Sequence, residues 1–145
     1  VMADLGPVKT TADSDAALAR HLSYHPLGFF IVERKEDGAA IGFCGLKPGS
    51  PDTPIEGMLE VGWMLAEPYW GGGYAREAAE ASMAWGWETR GDDAIVAITA
   101  RRNAKSRGLM ERLGMRHVPA MDFAHPLVAP DDPLSDTVTY RIGRP

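Results

Sequence analysis

The chain has little of what several classes of protein require. It carries a single cysteine, Cys44, which excludes an internal disulfide framework and a cysteine-rich metal site. No apolar run approaches the ~18 residues that a membrane-spanning helix needs, and no secretory leader is expected. His21, His25 and His117 lack the spacing with acidic residues that a metal site shows. We therefore expect a cytoplasmic protein with no membrane partner and no metal.

Positive charge is also scarce. The 145 residues include 15 Lys and Arg against 20 Asp and Glu, which gives a net charge of −5. This excludes a general nucleic-acid binder, because such proteins need a basic face. A local basic cluster stands out against that background, formed by Arg101, Arg102, Lys105 and Arg107. The length and a hydrophobic content of 45% predict a single domain over residues 1–145.

The most informative stretch is EVGWMLAEPYWGGGYAREAAEA, at residues 60–81. Residues 60–65 alternate and are rich in Val, Trp, Met and Leu, which predicts a β-strand. The three glycines at 71–73 form a turn without Cβ atoms, and from Tyr74 the apolar pattern becomes helical to about Thr89. A strand, a glycine turn and a helix N-terminus together favour an anion, because unpaired N–H groups and the helix dipole point at it.

Three phosphate-binding signatures compete for that turn. A Walker A loop needs a Lys after its glycines, and none follows at a usable spacing. A Rossmann turn needs a third small residue three positions after Gly73, where Arg76 stands. The remaining pattern is a short glycine loop before a helix rich in small residues. A plain surface turn stays open as the alternative.

The other elements predict a mixed α/β (α+β) chain. We expect helices over 13–22 and 104–113, and further strands over 29–34, 40–46, 94–100 and 137–142. Asp13 or Ser14 is the predicted cap of the first helix, and Asn103 that of the last. The uncharged strand at 94–100 follows a strand and a helix, so a right-handed crossover places it parallel to the strand at 60–65.

The glycine loop resembles the pyrophosphate loop of the GNAT superfamily of N-acetyltransferases, whose pattern is Gln/Arg-x-x-Gly-x-Gly/Ala. Trp70 departs from that pattern, but EPYWGGGYAREA resembles the loop of the RimJ/RimL-like branch. IGFCGL at 41–46, NAKSRGLMERLGM at 103–115 and MDFAHP at 121–126 resemble further segments of the same branch.

The resemblance covers nearly the whole chain and implies the GNAT fold. In this fold a central mixed, mostly antiparallel sheet has splayed parallel central strands and is flanked by helices. The family usually has one more strand and helix before the first helix predicted here. We therefore expect those two elements to be lacking.

The resemblance also implies acetyl-CoA as cosubstrate, without a metal. Its pantetheine arm would lie between the central strand and the strand at 94–100, and would pair with backbone near Met64 and Leu65. A backbone N–H there would polarise the thioester carbonyl, and the glycine loop would hold the pyrophosphate. The implied cofactor-binding residues are Met64, Leu65, Trp70, Gly71, Gly72, Gly73, Tyr74, Ala75, Arg76, Asn103 and Ser106.

Acetyl transfer to an amine needs a proton acceptor and a proton donor. Glu60 is the carboxylate on the central strand nearest the expected site, although a solvent-facing residue fits the same pattern. Many superfamily members have a Tyr acid at the position of Met110, so Ser106 becomes the substitute unless it serves only in helix capping. His125 is either a second base or a structural residue in a turn. Cys44 is interpreted as a small apolar strand residue, not a nucleophile.

Two functions stay open. The first is an acetyl-CoA-dependent N-acetyltransferase that moves the acetyl group to a primary amine by direct attack in a ternary complex. Its acceptor is a small-molecule amine or a protein N-terminus, and a homodimer is allowed for. The second is a non-catalytic acyl-CoA-binding or protein-interaction module on the same fold, which Met110 and the missing N-terminal elements suggest.

Overall fold

The computed structural model describes residues 9–145. In chain order its helices and strands are α1 (Thr11–Ser23), β1 (Gly28–Arg34), β2 (Ala39–Pro48), β3 (Leu59–Leu65), α2 (Tyr74–Thr89), β4 (Ala94–Ala100), α3 (Ala104–Arg112), β5 (Arg116–His117), β6 (Phe123–Ala124) and β7 (Asp136–Gly143). Short 3-10 turns occur at Glu67–Tyr69 and Pro119–Met121. The predicted absence of a first strand and helix falls on residues 1–8, which lie outside the described residues.

Seven strands form one mixed sheet in the order β1-β2-β3-β4-β7-β5, with β6 beside β7. Every pair is antiparallel except β3 with β4, which is parallel as the crossover argument predicted. The parallel pairing is brief, because Leu59 pairs with Ile95 and Glu60 with Val96 before the ladder ends. The predicted fold class and the splay of the two central strands are therefore confirmed. The splay leaves a gap along the carboxyl ends of β3 and β4.

The core lies between the sheet and helices α2 and α3. Ala79 and Met83 of α2 and Leu109 and Met110 of α3 are all buried against it. Met110, which the resemblance aligns with the superfamily's Tyr acid, is 2% exposed and packs as a core side chain. Burial of a Met side chain stabilises the fold by about 1.5–3 kcal/mol.

The first helix begins earlier than predicted, and its cap is Thr10 instead of Asp13 or Ser14. Oγ1 of Thr10 accepts a hydrogen bond from the Asp13 N–H at 3.1 Å, and the Asp13 carboxylate accepts one from the Thr10 N–H at 3.0 Å. This reciprocal arrangement is a capping box, in which the acidic residue occupies the third helical position. Asp13 therefore helps to start the helix from within its first turn.

Candidate active site

A cleft of about 800 Å³ opens where β3 and β4 separate. Its walls are the end of β3, the glycine loop, the start of α2 and the first turns of α3. Its lining residues are Trp63, Met64, Leu65, Tyr69, Trp70, Gly71, Gly73, Tyr74, Ala75, Arg76, Asn103, Ala104, Lys105, Ser106, Gly108, Leu109 and Arg112. Of the predicted cofactor-binding residues, all line the cleft except Gly72. The volume is typical of sites for small molecules.

The glycine loop leaves the start of α2 uncovered. Gly71 has φ +76° and Gly73 has φ +82°, in the left-handed region that favours glycine. Gly73 is the N-cap of α2, and no side chain accepts a hydrogen bond at that cap. A Cβ atom built on either glycine would meet nothing within 4 Å. The two glycines therefore serve the backbone conformation, and the first N–H groups of α2 are available to an anion.

Trp70 joins the two sides of the cleft. Its indole Nε1 donates a hydrogen bond to the Leu65 carbonyl oxygen at 2.9 Å, which ties the loop to the end of β3. Nζ of Lys105, at the start of α3, lies 4.0 Å from the centroid of the indole ring. This is a cation–π contact. It brings a positive charge against the ring, at the position where the resemblance expects Gln or Arg.

The charged residues that line the cleft are all positive. They are Arg76, Lys105 and Arg112, and no Asp or Glu of residues 9–145 is among the lining residues. Arg76 pairs with Glu80 at 2.7 Å, but both side chains are about half exposed, and such surface pairs are weak. In a chain of net charge −5 this concentration of cations suits a polyanionic ligand.

Hydrogen bonds beyond each end of the β2–β3 ladder fix the direction of the β3 backbone. Gly49 N donates to Met58 O at 2.7 Å, and Ala66 N donates to Ile41 O at 2.9 Å. The intervening register is continuous. Because hydrogen-bonded and non-hydrogen-bonded pairs alternate in an antiparallel ladder, every second residue between Met58 and Ala66 directs its backbone groups at β2.

Met64 is one of the residues whose backbone is directed at β2, where it pairs with Phe43. The backbone groups of Trp63 and Leu65 have the opposite direction and face the gap left by β4. Of the two residues predicted to pair with the pantetheine arm through their backbone, only Leu65 has backbone groups that face the gap. Trp63, which was not predicted for this pairing, faces it as well. Met64 still lines the cleft.

Glu60 lies on β3 at the last residue that pairs with β4. It is 6% exposed, so the interpretation as a solvent-facing strand residue is wrong. Its Oε2 accepts a hydrogen bond from Lys47 Nζ at 2.5 Å. Burial raises the pKa of the Glu60 carboxyl, and the charge and hydrogen bond of Lys47 oppose that rise. Glu60 is not among the residues that line the cleft, and the first lining residue of β3 is Trp63, three positions further along the strand.

Asn103 and Ser106 lie together at the start of α3. The Asn103 side-chain oxygen accepts a hydrogen bond from the Ser106 backbone N–H at 3.1 Å, which confirms Asn103 as the cap of this helix. The capping bond uses the backbone of Ser106 and not its hydroxyl group. Both residues line the cleft, so the Asn103 amide N–H₂ and the Ser106 hydroxyl are uncharged polar groups that the start of this helix presents there, beside the charged Lys105.

His125 lies in the turn after β6. Its backbone N–H donates to Ser135 O at 2.8 Å, and its ring Nδ1 accepts a hydrogen bond from the Leu127 N–H at 3.2 Å. Burial and the charge of Lys47 both lower the pKa of this imidazole. The hydrogen bonds support the structural interpretation of His125.

Cys44 behaves as an apolar strand residue. It is 5% exposed, and its Sγ lies 3.8 Å from Ser82 Oγ. Burial raises the pKa of the thiol, which opposes formation of a nucleophilic thiolate.

The described part of the chain contains no group of three or more His, Cys, Asp and Glu residues that could hold a metal ion. His117 instead contacts the Asp122 carboxylate at 2.9 Å and stacks on Tyr140. Among residues 9–145 there is also no helix of the length and apolar character that crossing a membrane requires.

Comparison with known sequences identifies an acetyltransferase family. The family model described as Acetyltransferase (GNAT) domain matches residues 1–116. Among curated proteins, Uncharacterized protein YkkB of Bacillus subtilis is 32% identical over 91 residues, which are 63% of this chain and 52% of that protein. The chain spans about half or less of the length of the curated relatives it matches.

Solved structures agree with that match. An acetyltransferase from Agrobacterium tumefaciens is 27% identical with a TM-score of 0.74, and the match covers 97% of this chain and 77% of that one. A spermidine N-acetyltransferase from Vibrio cholerae, solved with CoA and spermine, is 17% identical with a TM-score of 0.73. That match covers 99% of this chain and 82% of the other. At such low identity the second likeness shows the fold alone.

Proposed function

Because the chain belongs to the GNAT acetyltransferase family, we propose that it is an acetyl-CoA-dependent N-acetyltransferase that acts on a primary amine. The amine attacks directly in a ternary complex. The observation that carries the proposal is the cleft between the splayed strands, which has an open helix N-terminus and no carboxylate among its described lining residues. The motifs quoted above support the RimJ/RimL-like branch within the family.

The residues of the cleft fit the parts of acetyl-CoA. The loop at 71–73 and the first N–H groups of α2 would hold the pyrophosphate, with Arg76 beside them. The backbone groups of Trp63 and the N–H of Leu65 would pair with the pantetheine arm, since the Leu65 carbonyl oxygen already accepts a hydrogen bond from the Trp70 indole. Acetyl-CoA supplies the acetyl group as an activated thioester. A backbone N–H from this part of β3 would stabilise negative charge on the carbonyl oxygen.

Proton transfer falls to Glu60 and Ser106 in this proposal. Glu60 accepts the amine proton directly or through a water molecule, at the point where β3 and β4 part. Ser106 has a hydroxyl group that is not used in capping α3. It passes a proton to the leaving thiolate and takes one from a water molecule in the same step, so that the hydroxyl is restored. Met110 cannot serve as the acid because it is a buried thioether.

A ligand series tests the assignment of the cleft. Acetyl-CoA at ~100 times its dissociation constant is expected to raise the free energy of unfolding by about 2.7 kcal/mol. Dephospho-CoA and pantetheine, at the same concentration, are expected to stabilise the protein progressively less, because they lose phosphate contacts. Thermal or chemical unfolding measures the effect. Equal stabilisation by pantetheine and CoA would show that the glycine loop does not bind phosphate.

Trp70→Phe tests the tie between the loop and β3. Phe keeps an aromatic ring for Lys105 but removes the N–H that donates to Leu65 O. Loss of one such hydrogen bond is worth about 0.5–1.5 kcal/mol, so we expect acetyl-CoA binding to weaken by roughly 2–10-fold in calorimetric titration. Trp70→Ala, which also removes the ring, should bind more weakly still. Parental affinity in Trp70→Phe would mean that this bond does not position the loop.

The second function is a non-catalytic acyl-CoA-binding module, and the burial of Met110 in the core favours it. Both functions share the cofactor cleft, so binding of acetyl-CoA does not separate them. Release of CoA thiol that depends on an added amine does. For the acceptor we propose a small-molecule amine or a protein N-terminus, to be identified with a panel of both kinds.

A further inference from the structure

We propose that Lys47 is a positioning residue that keeps Glu60 ionised and oriented as the proton acceptor. The proposal rests on the proposed function. Lys47 lies on β2 and does not line the cleft, so its role is exercised through Glu60 and not on either substrate.

Geometry ties the two side chains together. Lys47 and Glu60 are directly opposite each other in the β2–β3 ladder, so their side chains lie on the same face of the sheet. Nζ of Lys47 donates to Glu60 Oε2 at 2.5 Å and also to Pro48 O at 3.3 Å. The second bond holds the ammonium group in place, and occupation of Oε2 leaves Oε1 as the oxygen that takes the amine proton.

The pair is shielded from water. The side chains of Lys47 and Glu60 are 14% and 8% exposed, and the Phe29 ring centroid lies 5.9 Å from Nζ. A carboxylate at such a site is costly to ionise without a cation, because burial disfavours the charged form. A protonated Glu60 cannot accept a proton, so the reaction depends on what balances its charge.

Lys47 is the group that supplies this balance. Two imidazoles lie within electrostatic reach of Lys47, that of His21 on α1 and that of His125 in the turn after β6. Burial lowers the pKa of both imidazoles, and Lys47 lowers each of them further, after Arg20 in the case of His21. Nδ1 of each ring accepts a backbone N–H, from Phe29 for His21 and from Leu127 for His125. The cation that is hydrogen-bonded to Glu60 is Lys47.

Lys47→Met tests the proposal through the pH dependence of kcat. Removal of a cation this close to a carboxylate raises the carboxyl pKa by roughly 1–3 units. The rate requires the ionised form of Glu60, so kcat falls as pH drops through that pKa. This fall is the acid limb of the pH profile of kcat, and we expect its midpoint to move to a higher pH by the same amount. At a pH below both limbs the rate falls about 10–1000-fold, and at high pH it recovers. The KM for acetyl-CoA should stay near that of the parent.

Lys47→Arg is the matched control, because it keeps the charge and should leave the acid limb within about half a unit of its parental position. Circular dichroism and acetyl-CoA titration check that each variant is folded. All profiles use one acceptor amine, whose own ionisation is then common to every variant.

The outcomes separate this inference from the proposed function. An inactive Glu60→Gln together with an unshifted acid limb in Lys47→Met overturns the role of Lys47 and leaves the acetyltransferase intact. A fully active Glu60→Gln overturns both the base and its positioning residue. If Lys47→Met does not fold, ¹³C NMR titration of the Glu60 carboxyl in the parent decides the matter. We expect an ionised carboxylate at pH 7, and a protonated one overturns the proposal.

Discussion

Gly73→Asp is expected to fold and to bind acetyl-CoA roughly 100-fold more weakly than the parent. The new carboxylate would lie at the N-terminus of α2, where it repels the pyrophosphate. It would also accept hydrogen bonds from the backbone N–H groups that the pyrophosphate needs. Hydrogen bonds to charged groups are worth about 1.5–3 kcal/mol, and a loss of about 2.7 kcal/mol is a 100-fold change in affinity. Calorimetric titration with acetyl-CoA measures it.

The backbone sets the cost of that substitution to stability. Gly73 has φ +82°, which costs a residue with a Cβ atom about 1–2 kcal/mol, although Asp adopts this region more readily than most. The added atom itself meets nothing within 4 Å, so no steric clash accompanies the strain. Gly73→Ala carries the same strain without the charge. If a folded Gly73→Asp binds acetyl-CoA as tightly as both Gly73→Ala and the parent, the loop is a plain turn.

Glu60→Gln is expected to lower kcat by roughly 10²–10⁴-fold, the usual contribution of a general base. The KM for acetyl-CoA should change little, because Glu60 does not line the cofactor cleft. Gln matches the shape of Glu and still offers Lys47 an oxygen acceptor, but it leaves a buried ammonium group without its counter-charge. Steady-state kinetics with acetyl-CoA and a fixed amine measure the effect.

A melting curve must accompany those kinetics, because the loss of a buried counter-charge also lowers stability. His125→Gln is the natural comparison, since His125 is the second base candidate and lies close enough to Lys47 for its pKa to be affected. Turnover of Glu60→Gln within twofold of the parent would move the base away from Glu60, and a large loss in His125→Gln would then identify the replacement.

Elements with a strong local pattern were predictable from the sequence. The strand at 94–100 and the start of α2 at Tyr74 have the predicted limits, because a β-branched uncharged run and a change of period are signals within the segment itself. The cap of α3 by Asn103 is equally local. The first helix was less predictable, since a capping box places the cap three positions before the acidic residue, and the helix begins directly after that cap.

The site depended on contacts that chain order does not reveal. The partner of Glu60 is 13 residues away on another strand, and only the register of the β2–β3 ladder brings Lys47 opposite it. The direction of the Met64 backbone follows from the same register. Lys105 reaches Trp70 because α3 packs across the cleft, which no spacing in the sequence indicates. The cytoplasmic location, the homodimer and the extent of the domain stay predictions.

The central claim is acetyl transfer to an amine at this cleft, and release of free CoA thiol from acetyl-CoA tests it most directly. The protein is assayed with a panel of small amines, amino acids and peptides with free N-termini, and the acetylated product is identified by mass spectrometry. We expect thiol release that depends on at least one amine and that falls in Gly73→Asp at acetyl-CoA concentrations below its KM. Saturable binding of acetyl-CoA with no amine-dependent release across the panel would contradict the enzyme and support the acyl-CoA-binding module.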